Sequence, residues 1–519
     1  TLSAGPYQVF SDTLGELTLY CYFFPPQADL APRYLSAVKH YIRLYENMIG
    51  AYPFPRFSVV DNFLPTGYGM PGWTLIGSEV LHLPFIPETS LGHEVLHNWF
   101  GNSLEVDYRE GNWCEGLTTY LADYFYQTLK DSLSATEYRM NILKDYAAYV
   151  HSENEYAVAK FSERRDPADR AIGYGKVMMI FHMLKNLLDQ RDTTLFSRLL
   201  RETFADNRGQ PIGWSVWQKE AQRLYRERLD WFFDQWVKEP GAPRLAWGKV
   251  QADQAEVGWR VKAQIVVEPY QPRPYWLLIP IRAITAEGNI DYLVFQTQSP
   301  QALELEGVGH LQALRLDPEY HLFRVLYPSE APVALSSFFG DPSGLFVLPA
   351  HSLKSESYRQ CAEGLKKEGQ ELREIPLGSG TDLPGVNLTN RSLWIIGSPQ
   401  ENPLWERYPP PQELFRYLPA RAPRWREDQP LLEGFQFRGE EFRGGEYTLT
   451  FITWHPEAVG ERVIVYTLSL PDADPVAGMR KLRHYGKYSY LLFQGETNVQ
   501  KGVWGASGEH PLLWRVGSR

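Results

Sequence analysis

Three cysteines in 519 residues, Cys21, Cys114 and Cys361, are too few and too scattered to make a disulfide framework. They are expected as buried thiols acting as small apolar fillers, so cysteine usage leaves the compartment open, with a lean towards a bacterial cell envelope or other extracytoplasmic setting. No block of basic residues is present. The 52 Lys and Arg against 62 Asp and Glu give a formal net charge of −10, which argues against a nucleic-acid partner. No run of about 18 consecutive apolar residues occurs, so no membrane span is expected in this chain. No charged-then-apolar leader is visible either, and the first residue is Thr1, as in a trimmed product. Internal repeats and low-complexity tracts are also missing.

What is present is an ordinary globular composition, 44% hydrophobic and 22% charged, spread over a length that calls for roughly two to four domains. Residues 5–24, GPYQVFSDTLGELTLYCYFF, alternate like a strand or hairpin. Residues 31–50 carry apolar side chains at helical spacing up to Gly50. FSVVDNFL (57–64) and WTLIGSEVLHL (73–83) read as strands. From 89 to 236 the period is helical almost throughout, interrupted at Asp166-Pro167 and Asn207-Arg208-Gly209, and it closes at Pro240, Gly241 and Pro243. Over 246–341 short alternating segments between turn residues predict a small β-sandwich. Over 342–519 strands such as LFVLP and RVIVYTLSL alternate with helical or loop stretches, which predicts a small α/β domain. The expected class is therefore α+β and multidomain: a strand segment over 1–30, a mostly helical domain over 31–245, the sandwich, then the α/β domain.

The chemistry concentrates in HEVLHNWFGN (93–102) and WCEGLTTY (113–120). His93 and His97 are four residues apart, which on a helix places both imidazoles on one face, one turn apart. Two neutral imidazoles converging in this way suit Zn²⁺. Glu94, beside the first histidine, is placed to take a proton from a water activated there. Ser90 reads as the helix N-cap. A catalytic zinc needs a third protein ligand and an open position. Glu115, at the start of the helical pattern EGLTTYLADYFYQ, can reach across to complete a His₂Glu set.

HEVLHNWFGN followed by EGLTTY resembles the aminopeptidase N family of zinc metallopeptidases, whose pattern is HExxHxWFGN followed by NEGFAxY. These are gluzincins with a thermolysin-like catalytic domain. AIGYGK (171–176) stands where that family has a Y-x-K-G segment, with Val177 in place of the glycine. FFDQWVKEPGAPRL (232–245) resembles the segment closing the family's helical region, and DPEYHLFRVL (317–326) the end of its β-sandwich. The resemblance spans roughly residues 1–340. It implies one Zn²⁺ per chain held by His93, His97 and Glu115, Glu94 as general base, and Tyr174 as the hydroxyl that steadies an oxyanion. It further implies a peptide or protein substrate held as an added strand, and residues 1–30 as the tail of a leading β-rich domain. The last domain falls outside it and is expected to be an accessory module through which a partner protein binds.

The chain departs from the family in three places. Seventeen residues separate His97 from Glu115 where the family has eighteen, and Glu110 is the alternative ligand. Cys114 replaces the usual Asn before Glu-Gly. In GYGMPGWTLI, where the family reads GAMENWGLI, the substrate-binding segment becomes Gly69, Met70, Pro71 and Gly72, and Pro71 falls on the glutamate that grips a free α-amine. Losing that charge-assisted hydrogen bond removes about 1.5–3 kcal/mol from amine recognition, unless another acid such as Glu79 substitutes. Two functions follow: a zinc peptidase without strict aminopeptidase specificity, or a zinc-binding scaffold within an envelope assembly. His82, His151 and His182 lack ligand spacing and read as structural. The Gly-Ser of SLWIIGSPQENP (392–403) lacks the rest of a phosphate loop.

Overall fold

The computed structural model describes residues 3–64, 67–254, 258–271, 273–376, 378, 380–419, 425–426, 429–430, 432–505 and 509–517. The chain divides into two compact units, one of Thr1–Tyr146, His151–Val325 and Pro511–Arg519, the other of Ala147–Val150 and Leu326–His510. Among the described residues no helix is long and apolar enough to cross a membrane. The architecture is a mixed α+β one.

The first unit opens with strands β1 (Gln8–Leu14) and β2 (Leu17–Phe23), an antiparallel hairpin. Helix α1 (Ala31–Met48) follows. Its Tyr34, Leu35, Val38, Tyr41, Ile42 and Tyr45 recur every three or four residues and are buried, as an amphipathic helix requires. Strands β3 (Arg56–Asn62), β4 (Gly67–Met70) and β5 (Trp73–Gly77) complete a five-stranded sheet in the order β1-β2-β3-β5-β4. β2, β3 and β5 are parallel, and β4 runs antiparallel at the edge. Residues 1–30 thus contribute two strands, of which β2 pairs directly with β3. The apolar run after Trp73 is strand only to Gly77. Ser78–Leu81 is the short helix α2, because the segment leaves the sheet and buries Leu81 alone.

Helix α3 (Ser90–Leu96) and helix α4 (Cys114–Thr119) carry the two motifs. Thr89, not Ser90, occupies the N-cap position of α3, and its side chain makes no capping bond. α4 continues through a π-helical turn, Tyr120–Tyr124, into Phe125–Lys130. A second π turn, Ala171–Lys176, leads into helix Val177–Asp189, which is apolar on nearly every side and deeply buried. Gly116 lets α4 meet this helix closely: a Cβ there would lie 2.2 Å from Val177 Cβ. Two antiparallel sheets of three and four strands cover 244–316 with alternate residues buried. Strand Leu513–Arg515 returns to pair with Leu311–Leu316, which places the final residues with this unit.

The second unit is built on a seven-stranded sheet. Glu371–Ile375, Leu345–Pro349, Leu393–Ile396 and Val463–Ser469 are parallel neighbours in that order. Tyr447–Trp454, Tyr490–Gln494 and Thr497–Gly502 extend it antiparallel. Leu345 and Val347 enter one hydrophobic cluster while Phe346 and Leu348 enter the other. Both faces are covered, and for that reason LFVLP and LWII read as unbroken apolar runs rather than alternating ones.

Candidate metal centre

His93 and His97 project from one face of α3, their rings 4.9 Å apart between centroids. The Nε2 atom of each lies 3.6 Å from the same atom, Glu115 Oε2. Donor atoms bound at about 2.0–2.2 Å around a tetrahedral ion stand roughly 3.3–3.6 Å from one another, so the spacing fits one small cation between the three side chains. Among the described residues this is the one group of three or more His, Cys, Asp or Glu side chains close enough to hold a metal ion.

The far edges of both rings are tied back. His93 Nδ1 is 2.6 Å from Asp123 Oδ2. His97 Nδ1 is 3.1 Å from the Phe100 carbonyl, which also accepts from the Cys114 thiol at 3.0 Å. Each Nδ1 has an acceptor for its proton, and that leaves each Nε2 facing Glu115. Asp123 escaped the sequence reading. It follows Glu115 by eight residues, which on a regular α-helix rotates it about 80° away. The π turn at Tyr120–Tyr124 unwinds about 90° of that rotation, so both carboxylates reach the same imidazole, one at each edge.

The electrostatics are those of a site that seeks positive charge. Burial pushes the two imidazoles down, but Asp123 and Glu115 outweigh it at His93, which is held up at about 10. Cys114 and Glu115 raise His97 well above the usual range against the same burial. Burial works to raise Glu115, yet the two facing imidazoles hold its carboxyl below the ordinary carboxylate range. Without a metal, protons supply the charge that the cluster requires.

Tyr174 sits on the π turn of 171–176, half-buried. Burial first, then the charge and hydrogen bond of Glu115, push its phenol up, so the hydroxyl stays protonated. Gly116 explains the meeting of these groups, since its close approach to Val177 fixes the helix of Glu115 against that of Tyr174.

Glu94 lies against the backbone of β4. A Cβ at Gly67 would be 3.2 Å from Glu94 Oε1, and one at Gly69 would be 3.1 Å from Glu94 Oε2 and 3.3 Å from His97 Cβ. Pro71 and Gly72 form the turn between Met70 and Trp73, which pair in the sheet. Gly72 takes φ +80°, as the second central residue of a type II turn does. Its N–H donates to Asn98 Oδ1 at 2.8 Å, so the residue after HEVLH pins this turn to the end of α3. Pro71 is exposed, as is Glu79 on α2. Glu110 is engaged elsewhere: its carboxylate accepts from the Ser215 backbone N–H at 2.7 Å and the Ser215 hydroxyl at 2.8 Å. His182 is buried and 2.9 Å from His321 Nδ1. Cys21, Cys114 and Cys361 are all free and buried.

No protein-family model matches the chain. No curated protein matches it either. Among solved structures it is similar to aminopeptidase A of Legionella pneumophila, determined in complex with aspartic acid, at 16% identity and a TM-score of 0.45 over 69% of this chain and 41% of that one. The chain thus spans less than half of that protein. A likeness of this degree carries no information about chemistry, and the site's own geometry is what any functional reading has to rest on.

Proposed function

We propose that this chain is a zinc-dependent hydrolase of peptide bonds, of the aminopeptidase N type, with His93, His97 and Glu115 holding the ion. The observation that carries this reading is the convergence of both imidazole Nε2 atoms, 3.6 Å each, on one oxygen of Glu115, with their other nitrogens anchored. Two nitrogens and one carboxylate oxygen with a fourth direction open are the donor set of catalytic zinc. The bound ion supplies a Lewis acid that draws charge from a carbonyl oxygen and acidifies a neighbouring water.

The chain's residues do the rest. Glu94 takes a proton from the attacking water as its oxygen bonds to the peptide carbon, then delivers that proton to the amide nitrogen as the C–N bond breaks. Tyr174, kept neutral, donates a hydrogen bond to the oxygen on which charge develops. β4 is an edge strand whose Gly67 and Gly69 face Glu94, and an extended substrate can pair along its free side. The Met70-Pro71-Gly72 turn offers no carboxylate to a free α-amine, so on this reading the enzyme does not require one. That same lack favours a second reading, a metal-binding scaffold without turnover.

The test uses the purified full chain. Elemental analysis is expected to give one zinc per chain, lost in His97→Ala. A panel of free and N-acetylated peptides is expected to be cut by wild type and not by Glu94→Gln, which keeps its zinc. Zinc binding with no difference between wild type and Glu94→Gln on any peptide would leave the scaffold reading standing instead.

A further inference from the structure

Asn98, the residue after HEVLH, is fully buried, and its side-chain amide is engaged on both sides. Oδ1 accepts from the Gly72 N–H at 2.8 Å and from the Tyr52 hydroxyl at 3.1 Å. Nδ2 donates to the Val95 carbonyl at 3.0 Å and to the Glu94 carbonyl at 3.4 Å. A side-chain amide has two N–H donors and two acceptor lone pairs, so nothing is left over.

The two sides belong to different parts of the site. Val95 and Glu94 lie in the last turn of α3, where carbonyls run out of intrahelical donors. Gly72 belongs to the sheet, since its own carbonyl accepts from the Ser58 N–H of β3 at 3.0 Å. β4 is tied to the same sheet: it pairs with β5, and the Thr74 hydroxyl donates to the Tyr68 carbonyl at 3.0 Å. Asn98 therefore bonds the sheet that carries β4 to the helix that carries Glu94. The gap between them is narrow. A Cβ at Gly67 or Gly69 would stand 3.2 or 3.1 Å from the Glu94 carboxylate, so the strand has no room to come closer. It has room to move away, and the bond between Gly72 and Asn98 opposes that.

On the peptidase reading, on which this inference rests, β4 aligns the substrate's backbone and Glu94 handles the proton. The distance between the two then decides whether a peptide paired along the strand presents its scissile bond to Glu94. A misplacement of about 1 Å in such an alignment costs about a hundredfold in rate. We propose that Asn98 is a positioning residue that sets the gap between β4 and Glu94, and so couples pairing along the strand to cleavage.

The test uses the zinc-loaded full chain and two N-acetylated fluorogenic peptides that share one scissile bond. One is short, and the other is extended by four alanines on each side. Extension is expected to raise kcat/KM about tenfold or more in wild type and less than about threefold in Asn98→Ala. Unfolded or zinc-free protein lowers both substrates alike and leaves this ratio unchanged. Tyr52→Phe removes the other donor to Asn98 Oδ1, keeps the Gly72 bond, and is expected to keep the wild-type ratio. Hydrogen exchange over residues 67–77, resolved to Gly72 by fragmentation and mass spectrometry, reads the anchor without cleavage. The Gly72 amide should exchange slowly in wild type and about tenfold or more faster in Asn98→Ala. Fast exchange at Gly72 in wild type overturns the proposal, even where Asn98→Ala fails to fold. So does a wild-type ratio in folded Asn98→Ala, an equal loss of the ratio in Tyr52→Phe, or no gain on extension in wild type. If wild type cuts neither peptide, the peptidase reading falls and the coupling with it, while the exchange at Gly72 separately decides whether Asn98 holds the turn.

Discussion

Replacing Gly116 with alanine should damage the proposed metal centre through a contact that touches none of its three side chains. The added Cβ would stand 2.2 Å from both Cβ and Cγ1 of Val177 and 2.9 Å from the Met178 backbone nitrogen. Carbon atoms in contact normally sit about 3.5–4.0 Å apart, so the two helices must part by about 1.5 Å or the side chains must distort. Val177 and Met178 are fully buried, and the Met178 nitrogen is main chain and cannot rotate away. Overpacking of this kind costs about 1–3 kcal/mol, against about 1 kcal/mol gained by removing a glycine from a helix interior. The net effect expected is a loss of up to about 2 kcal/mol, or a drop of up to roughly 8 °C in Tm. Glu115 moves with its neighbour, and the 3.6 Å spacings to the two Nε2 atoms lengthen. Zinc affinity, measured by competition with a chromophoric chelator, should fall by about tenfold or more. Val177→Ala makes part of the missing room, so the double variant should lie closer to wild type than the sum of the single effects. A Gly116→Ala protein that matches wild type in both melting and zinc affinity would refute the role given to this contact.

Three further outcomes follow from the same geometry. Metal binding must expel the protons that the metal-free imidazoles hold, His93 up to about 10 and His97 well above its usual range. Apparent affinity should therefore rise about ten- to a hundredfold per pH unit between pH 6 and 8, and a flat profile in a chelator-competition series would contradict this. Lys176, fully buried with Nζ donating to the Gly241 carbonyl at 3.0 Å, is pushed by burial down to about 8. Its folded-state pKa is lowered, so the unfolded chain binds the extra proton between pH 8 and about 10.4, and stability should rise with pH across that window by up to about 3 kcal/mol. Denaturant unfolding at pH 7.5 and 9.5 should show this gain reduced in Lys176→Met; the same gain in both proteins would remove lysine as its source. Finally, with Pro71 exposed at a turn, N-acetylated peptides should be cut with kcat/KM within about tenfold of free ones, whereas recognition of a charged amine would separate them by about 1.5–3 kcal/mol.

What could be read in the sequence was what a helix fixes locally. A separation of four positions puts His93 and His97 on one face whatever surrounds them, and Glu115 opens a helix whose pattern is plain. The strands of 345–349 and 393–396 were legible because burial on both faces leaves an uninterrupted apolar run. Asp123 was hidden because its direction depends on a π turn, and a single widened turn leaves no periodic mark in the residues that make it. The Ser78–Leu81 helix reads as strand in the sequence because four residues are too few to show a period. The pairing of Leu513–Arg515 with Leu311–Leu316 joins residues about two hundred positions apart, a distance over which local pattern says nothing.

The stretch from Gly67 to Gly77 presents the most instructive trade. As a hairpin it is well made: proline ahead of a glycine at φ +80° suits a type II turn, and Asn98 takes the glycine N–H. A glutamate at position 71 would give up proline's preset φ for a charge reaching into the cleft. The chain keeps the turn. Gly67 and Gly69, two residues apart on the same face of β4, leave just enough space for the Glu94 carboxylate, since a methyl group at either would press on it within 3.2 Å. The strand thus presents main chain rather than side chains to the site. On the peptidase reading, such a surface can align a substrate's backbone but cannot count from its terminus, so discrimination among peptides must come from the groups flanking β4 and not from the segment itself.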